Sequence, residues 1–202
     1  NYGMISMVDH HIGRVIRYLK ERDVYDNTII VFLSDHGDYM GDHGLLRKGL
    51  LPYDGLYRVP TIWRIPTAGR ATGVTDALCG SVDLIPTLLD LVGVDIPDSV
   101  QGVSQAPVLR DHRSTVRETV SAELDDTPSG QRVRFLRDDR YSFAYFFGPE
   151  YGMLYDMDHD PQQQHDLFED PARRDVRDRF LGMLDDESIR GEPWVPRKVC
   201  HA

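Results

Sequence analysis

Residues 28–44 read TIIVFLSDHGDYMGDHG: an apolar run rich in β-branched residues, then a loop with three glycines and two Asp-His-Gly triplets. The run 28–34 shows no polar alternation, which predicts a strand buried on both faces, in a sheet covered by helices. Upstream, Met4, Ile5, Val8, Ile12, Val15, Ile16 and Leu19 recur at helical spacing, with Asp9, Arg14, Arg17, Lys20 and Glu21 between them. That pattern predicts an amphipathic helix packed on something flat. Helix, Asp26-Asn27 turn, buried strand and Gly-rich loop, in that order, make an α/β pattern. In open α/β sheets ligands bind beyond the carboxyl ends of the strands, which is where the Asp-His-Gly loop falls.

Working outward, VPTIWRIP at 59–66 is a second strand bracketed by prolines, and a short strand is expected near Leu78. A helix follows over about 83–92, with Pro86 in its first turn and Gly93 as its stop. Leu84, Leu88 and Leu91 form its expected buried stripe. Beyond Arg110 the pattern changes. TVSAEL, QRVRFLRDD, RYSFAYFFG and GMLYDMD are short strands separated by turn signals at Pro128-Ser129-Gly130 and Asp138-Asp139. Such spacing predicts an antiparallel sheet, and a helix is expected over about 171–186. The chain thus divides into an α/β part, 1–110, and a small antiparallel sheet-and-helix subdomain with a tail, 111–202.

Composition excludes several roles. A net charge of −10 argues against broad nucleic-acid binding, which needs a basic surface. No apolar run approaches the ~20 residues that span a bilayer. No signal-peptide pattern opens the chain, and a start at Asn1 is expected of an excised or processed segment. Cys79 and Cys200 read as a core thiol and a tail thiol, which leaves the cellular compartment open. His10 and His11 read as surface or boundary residues of the first helix. The aromatic run at 140–152 serves either the sheet's own core or a homo-oligomer interface.

Asp35 and His36 take the first two positions past the strand, and a sharp turn at Gly37 can converge a carboxylate oxygen with an imidazole nitrogen. Such a pair suits a divalent metal; alternatively Asp35 caps a turn and His36 fills space. Lys48 follows thirteen positions after Asp35. A metal beside an ammonium suits an anionic ester, whose peripheral oxygens gain charge in the transition state. Asp54 and Arg58 have the spacing of a structural ion pair.

Residues 1–66, together with SVDLIPTLLDLVGVDIP, VQGVSQAPVL and MLYDMDHDPQQQHDLFEDP, closely resemble the later part of sulfatases, which belong to the alkaline-phosphatase-like superfamily. The resemblance implies an alkaline-phosphatase-like sandwich, of which this chain holds part of the large sheet with its flanking helices. It implies that Asp35 and His36 are metal ligands and that Lys48 contacts the sulfate. Tyr53-Asp54 matches a family Tyr-Glu, His43 carries over no role beyond shaping the loop or facing substrate, and Tyr155 and Asp156 look architectural. The family's nucleophile, a Cys or Ser followed by x-Pro-x-Arg and oxidised to formylglycine, has no match here, nor do its first metal carboxylates. The expectation is a small anionic ester substrate, a divalent metal (Ca²⁺ or Mn²⁺, with Zn²⁺ also compatible with an imidazole ligand), and dependence on an upstream part of the same protein. This chain alone should be inactive. Two other readings stand beside sulfate-ester hydrolysis: a phosphonate monoester or phosphodiester hydrolase of the same superfamily, and a non-catalytic module.

Overall fold

The structure is a computed structural model that describes residues 2–66, 72–126, 130–148 and 151–191. The expected tail thiol Cys200 and the turn residues Pro128 and Ser129 lie outside the described residues. The described residues form a mixed α/β fold with two sheets. Helix α1 (Tyr2–Glu21) leads through a short turn into β1 (Ile30–Leu33), and the one-turn helix α2 (Asp54–Tyr57) precedes β2 (Thr61–Arg64). Helices α3 (Leu84–Val92) and α4 (Ala106–Arg110) follow. Four strands come next, β3 (Val120–Asp126), β4 (Gln131–Arg137), β5 (Tyr141–Phe147) and β6 (Tyr151–Asp156), and helix α5 (Arg174–Gly191) closes the described chain.

The four later strands form a meander in the order β3-β4-β5-β6, every pair antiparallel. Period-2 alternation sorts its side chains onto two faces. On one face Leu136, Phe143 and Leu154 lie in register and pack on Phe168, Phe180 and Leu184. Phe180 of α5 stacks on Phe143 with ring centroids 5.1 Å apart. On the other face Phe135, Ala144 and Met153 align across the strands and meet Leu50, Leu51 and Tyr57 from the amino-terminal half. A third cluster joins Tyr39, Tyr53 and Leu56 to Tyr155. The boundary expected at 110/111 is therefore bridged by shared core. The aromatic run at 140–152 serves the sheet: Tyr141, Phe143 and Phe146 are buried.

The β4–β5 turn is built by Asp138. Its Oδ1 accepts hydrogen bonds from the backbone N–H groups of Arg140 and Tyr141, and its Oδ2 accepts from Arg179 of α5. At the amino end of α3, Asp83 is 2% exposed and fully engaged. It accepts from Gly80 and Val103 N–H groups, from the Gln105 amide and from the Arg117 guanidinium. One buried carboxylate thus ties three segments of chain together, consistent with the rule that buried charges are paired.

Several expectations need correction. Strand β1 is not buried on both faces. It pairs antiparallel with β2 alone, and Phe32 and Ile62 remain exposed. Burial of a strand depends on its neighbours, and among the described residues a two-stranded ribbon offers too few. Helix α1 forms, yet none of its residues is fully buried, and Met4, Ile5, Val8 and Val15 are exposed. No strand forms near Leu78; residues 74–80 run as irregular chain to the Asp83 hub, and Cys79 is exposed rather than in the core. Leu84, Leu88 and Leu91 are half-buried, while Pro86 and Thr87 take the fully buried positions of α3. Gly93 does terminate α3, in the left-handed region at φ 72°.

Asp156 is 4% exposed and receives two hydrogen bonds from the Arg140 guanidinium, at 3.0 and 2.6 Å. That guanidinium, with His159 assisting, holds the Asp156 carboxyl well below its ordinary value. A depressed carboxyl stabilises the fold above its unfolded pKa of about 3.9, and this contribution is lost as pH falls through the lower folded value. Asp156→Asn is expected to cost about 1–3 kcal/mol at pH 7. The difference between wild type and variant should shrink as pH drops below about 4. Thermal unfolding across pH 2–7 measures both effects.

Candidate functional site

The site sits where β1 ends. Ser34 Oγ donates to His36 O at 2.8 Å, and the His36 N–H donates to Asp35 Oδ1 at 2.9 Å, so the chain turns immediately past the strand. Gly37 makes the turn sharp enough to touch the neighbouring segment: its N–H donates to Leu56 O at 2.8 Å. A Cβ at position 37 would stand 2.0 Å from Gly55 O, which only glycine avoids.

The turn converges the two side chains. Asp35 Oδ2 lies 3.7 Å from His36 Nε2, and Lys48 Nζ lies 3.2 Å from the same nitrogen. His36 Nδ1 is 2.8 Å from Gly37 O. A carbonyl can only accept, so Nδ1 carries the proton and Nε2 offers its lone pair to Lys48. The Asp35 side chain is 88% exposed and that of His36 45%, so both are open to solvent and ligands. The hydrogen bond from the His36 N–H holds the Asp35 carboxyl below its ordinary value, and the nearby Lys48 ammonium acts in the same direction. All three residues singled out from the sequence are thus brought together.

Lys48 is delivered by a tightly constrained loop. Tyr39 N–H donates to Arg47 O at 2.8 Å, and the Tyr39 hydroxyl donates to Leu51 O at 2.7 Å. Burial pushes the Tyr39 phenol up to about 12, so it stays a neutral donor across the physiological range. Met40, His43 and Arg47 adopt positive φ, as do Gly41 and Gly44. His43 stacks on Tyr53 with ring centroids 3.6 Å apart and planes 7° from parallel, which makes it a loop-shaping residue. Asp54 Oδ2 pairs with Arg58 at 3.7 Å, as the spacing predicted, and Asp54 Oδ1 pairs more closely with Arg137 at 2.7 Å. Tyr155, 3% exposed, packs beneath Tyr53, and Asp156 holds Arg140; both are architectural.

Sequence reasoning missed Gln163, Arg137 and Tyr39. Gln163 lies within a run of three glutamines, and only its placement beside the resembling tail motif marks it.

With this geometry in view, comparison with known proteins is informative. The Sulfatase family model matches residues 1–94. An arylsulfatase of Clostridium perfringens is 36% identical over 169 residues, covering 82% of this chain and 34% of that protein. An N-acetylglucosamine-6-O-sulfatase of Bacteroides thetaiotaomicron is 34% identical over 171 residues, covering 81% and 30%. Among solved structures, the phosphonate monoester hydrolase of Agrobacterium radiobacter superposes with a TM-score of 0.82 at 30% identity, covering 94% of this chain and 40% of that one. Residues 1–94 thus match the Sulfatase family, most of the chain resembles sulfatases, and its fold is alkaline-phosphatase-like. It spans about a third of the length of the curated relatives it matches.

Proposed function

We propose that the protein containing this chain hydrolyses sulfate esters, and that this chain supplies one side of its active site. Asp35 and His36 are two ligands of a divalent metal, and Lys48 faces the oxygens of the anionic ester. The observation that carries this reading is the convergence of Asp35 Oδ2 and Lys48 Nζ on one imidazole nitrogen at a strand end.

The donor set fits a metal in kind. A carboxylate oxygen and an imidazole nitrogen accept Mn²⁺ or Zn²⁺ readily, and Ca²⁺ where oxygens dominate the remaining shell. It does not complete a shell: among the described residues no cluster of three His, Cys, Asp or Glu is placed to hold a metal. The missing ligands and the formylglycine nucleophile are assigned to residues outside this chain, in an upstream part of the same protein. The exposed apolar residues of α1 and of the β1–β2 ribbon suit packing against that part.

When bound, the metal supplies Lewis acidity that draws charge from the ester oxygens. The chain's own residues hold and orient their side of the site. His36, its Nδ1 proton held by Gly37 O, is fixed in the tautomer that leaves Nε2 free to ligate. The Nε2 lone pair that would hold a metal is the one that accepts from Lys48, so a metal held there would leave the Lys48 ammonium free to face the substrate anion. There it stabilises the departing oxygen.

The test is turnover of an aryl sulfate by the full-length protein and by this chain, with elemental analysis of the metal. Metal-dependent turnover is expected from the full-length protein and none from this chain; turnover by this chain alone would overturn the division of the site. The Agrobacterium radiobacter likeness, at 30% identity, favours a second reading, hydrolysis of phosphonate monoesters or phosphodiesters. A kcat/KM for such a substrate above that for the aryl sulfate would establish it.

A further inference from the structure

Gln163 stands more than a hundred positions from the loop that carries Lys48, yet it grips that loop. It is 3% exposed and sits at φ 54°, in the left-handed region that side chains seldom adopt. Its Oε1 accepts the backbone N–H of Asp54 at 2.7 Å. Its Nε2 donates to Pro52 O and to Ser142 Oγ, each at 3.3 Å. Ser142 belongs to β5, on the sheet face that packs against Leu50, Leu51 and Tyr57. One carboxamide therefore pins two backbone groups of residues 52–54 to the carboxyl-terminal sheet. Arg137 adds a second tie on the same face, through Asp54 Oδ1 at 2.7 Å.

A strained conformation persists only where its surroundings over-determine it, and such strain gathers at sites where placement matters. The hydrogen bonds of the side chain supply the over-determination here. What they hold is the return arm of the Lys48 loop. Tyr39 N–H on Arg47 O holds the outgoing arm, and Tyr39 hydroxyl on Leu51 O and Gly37 N–H on Leu56 O tie the return arm to it on either side of residues 52–54. With residues 52–54 also pinned by Gln163, Lys48 Nζ is presented to His36; without that pin the segment between the flanking ties loosens, and the direction of Lys48 with it.

We propose that Gln163 is a positioning residue, whose buried carboxamide fixes Pro52 and Asp54 so that Lys48 is held over the ester-binding site. The proposal rests on the role assigned to Lys48 above. It assigns the carboxyl-terminal subdomain a part in catalysis that reaches the reacting atoms through the loop alone.

The test compares Gln163→Met, Gln163→Glu and Thr87→Val in the full-length protein. Gln163→Met keeps length and removes all three hydrogen bonds. Thr87→Val is the structural control: Thr87 is fully buried and bonds Asp83 O and the Gln105 N–H, far along the chain from the Lys48 loop. Misplacing a reacting group by about 1 Å costs on the order of 10²-fold in rate. Gln163→Met is therefore expected to lower kcat about 10–100-fold with KM changed less, and to raise the exchange rate of the Asp54 amide hydrogen at least about tenfold. Thr87→Val should lower thermal stability while leaving kcat and Asp54 exchange near wild type. Gln163→Glu supplies a pH signature and covers the case in which the Met variant does not fold. An ionised Glu has no proton for Pro52 O, whereas its protonated form does, and burial favours that form. Its kcat relative to wild type should rise as pH is lowered.

Unchanged Asp54 exchange in Gln163→Met would overturn the proposal, and so, where the Met variant does not fold, would a Gln163→Glu kcat that keeps a constant ratio to wild type as pH is lowered. So would a kcat loss no larger than that of Thr87→Val. If Lys48→Ala retained activity, the reading of Lys48 would fail instead, while Asp54 exchange would still report whether the clamp exists.

Discussion

Lys48→Ala is expected to reduce kcat of the full-length protein about 10²–10³-fold, the cost of removing one preorganised donor from a developing oxyanion. The residue is exposed, and its Nζ meets His36 Nε2 at 3.2 Å rather than a carboxylate at ion-pair distance. A lysine serving stability would be expected on an acid or lying along apolar surface. A net charge of −10 leaves many acids to choose from, and the loop nevertheless aims this ammonium at an imidazole. Because the side chain is exposed, truncation should change folding stability by no more than about 0.5 kcal/mol. Activity and stability therefore separate cleanly. Lys48→Arg should not restore the rate, since a planar fork cannot place one donor at the point a compact ammonium occupies. Steady-state kinetics on an aryl sulfate, with unfolding curves for both variants, provide the measurement. A kcat within twofold of wild type for Lys48→Ala would remove Lys48 from the reaction.

The parts of the molecule legible in the sequence are those whose cause is local. The meander β3–β6 could be read because period-2 patterning and turn residues act over a few positions, and Asp138 builds the β4–β5 turn with its own carboxylate. Gly93 could be read as a helix stop because a left-handed terminus is a property of one residue. Asp35 and His36 could be read as a pair because they are adjacent and followed by a glycine. What failed depended on distant partners. The apolar run 28–34 implied burial on both faces, but burial is conferred by whatever packs alongside, and among the described residues only β2 pairs with it. The strand expected near Leu78 had apolar character without a neighbouring strand, so the chain runs irregularly to Asp83 instead. The ties that hold the Lys48 loop lie furthest from local reading. Gln163 reaches Asp54 across 109 positions and Arg137 reaches it across 83, separations over which no periodic pattern carries information.

Gly37→Ala is expected to be among the most destabilising single-methyl additions in the chain. The added carbon would lie 2.0 Å from Gly55 O, 3.0 Å from Gly55 C and 3.2 Å from Leu56 Cα. All three are backbone atoms, so no side chain can rotate away, and the turn itself must move. Moving it breaks the Gly37 N–H bond to Leu56 O, and Gly37 O, the partner of His36 Nδ1, moves with it. Overpacking costs about 1–3 kcal/mol and an unmade backbone hydrogen bond a further ~1–3, for a combined loss of about 2–6 kcal/mol. At about 2–4 °C per kcal/mol for a chain of this size, Tm should fall by about 4–24 °C. Gly44→Ala separates steric clash from backbone strain. Gly44, unlike Gly37, has positive φ, at 73°, but nothing lies within 4 Å of a Cβ built there, so its cost should stay near 1 kcal/mol. The same displacement carries a catalytic consequence that stability alone does not. His36 and the α2 backbone, which follows the Lys48 loop, are coupled through this one contact, so Gly37→Ala molecules that remain folded should still lose activity. Unfolding curves for the two alanine variants, paired with kcat measured below the lower Tm, test both statements; equal destabilisation at positions 37 and 44 would show that the contact with Gly55 is not what requires glycine.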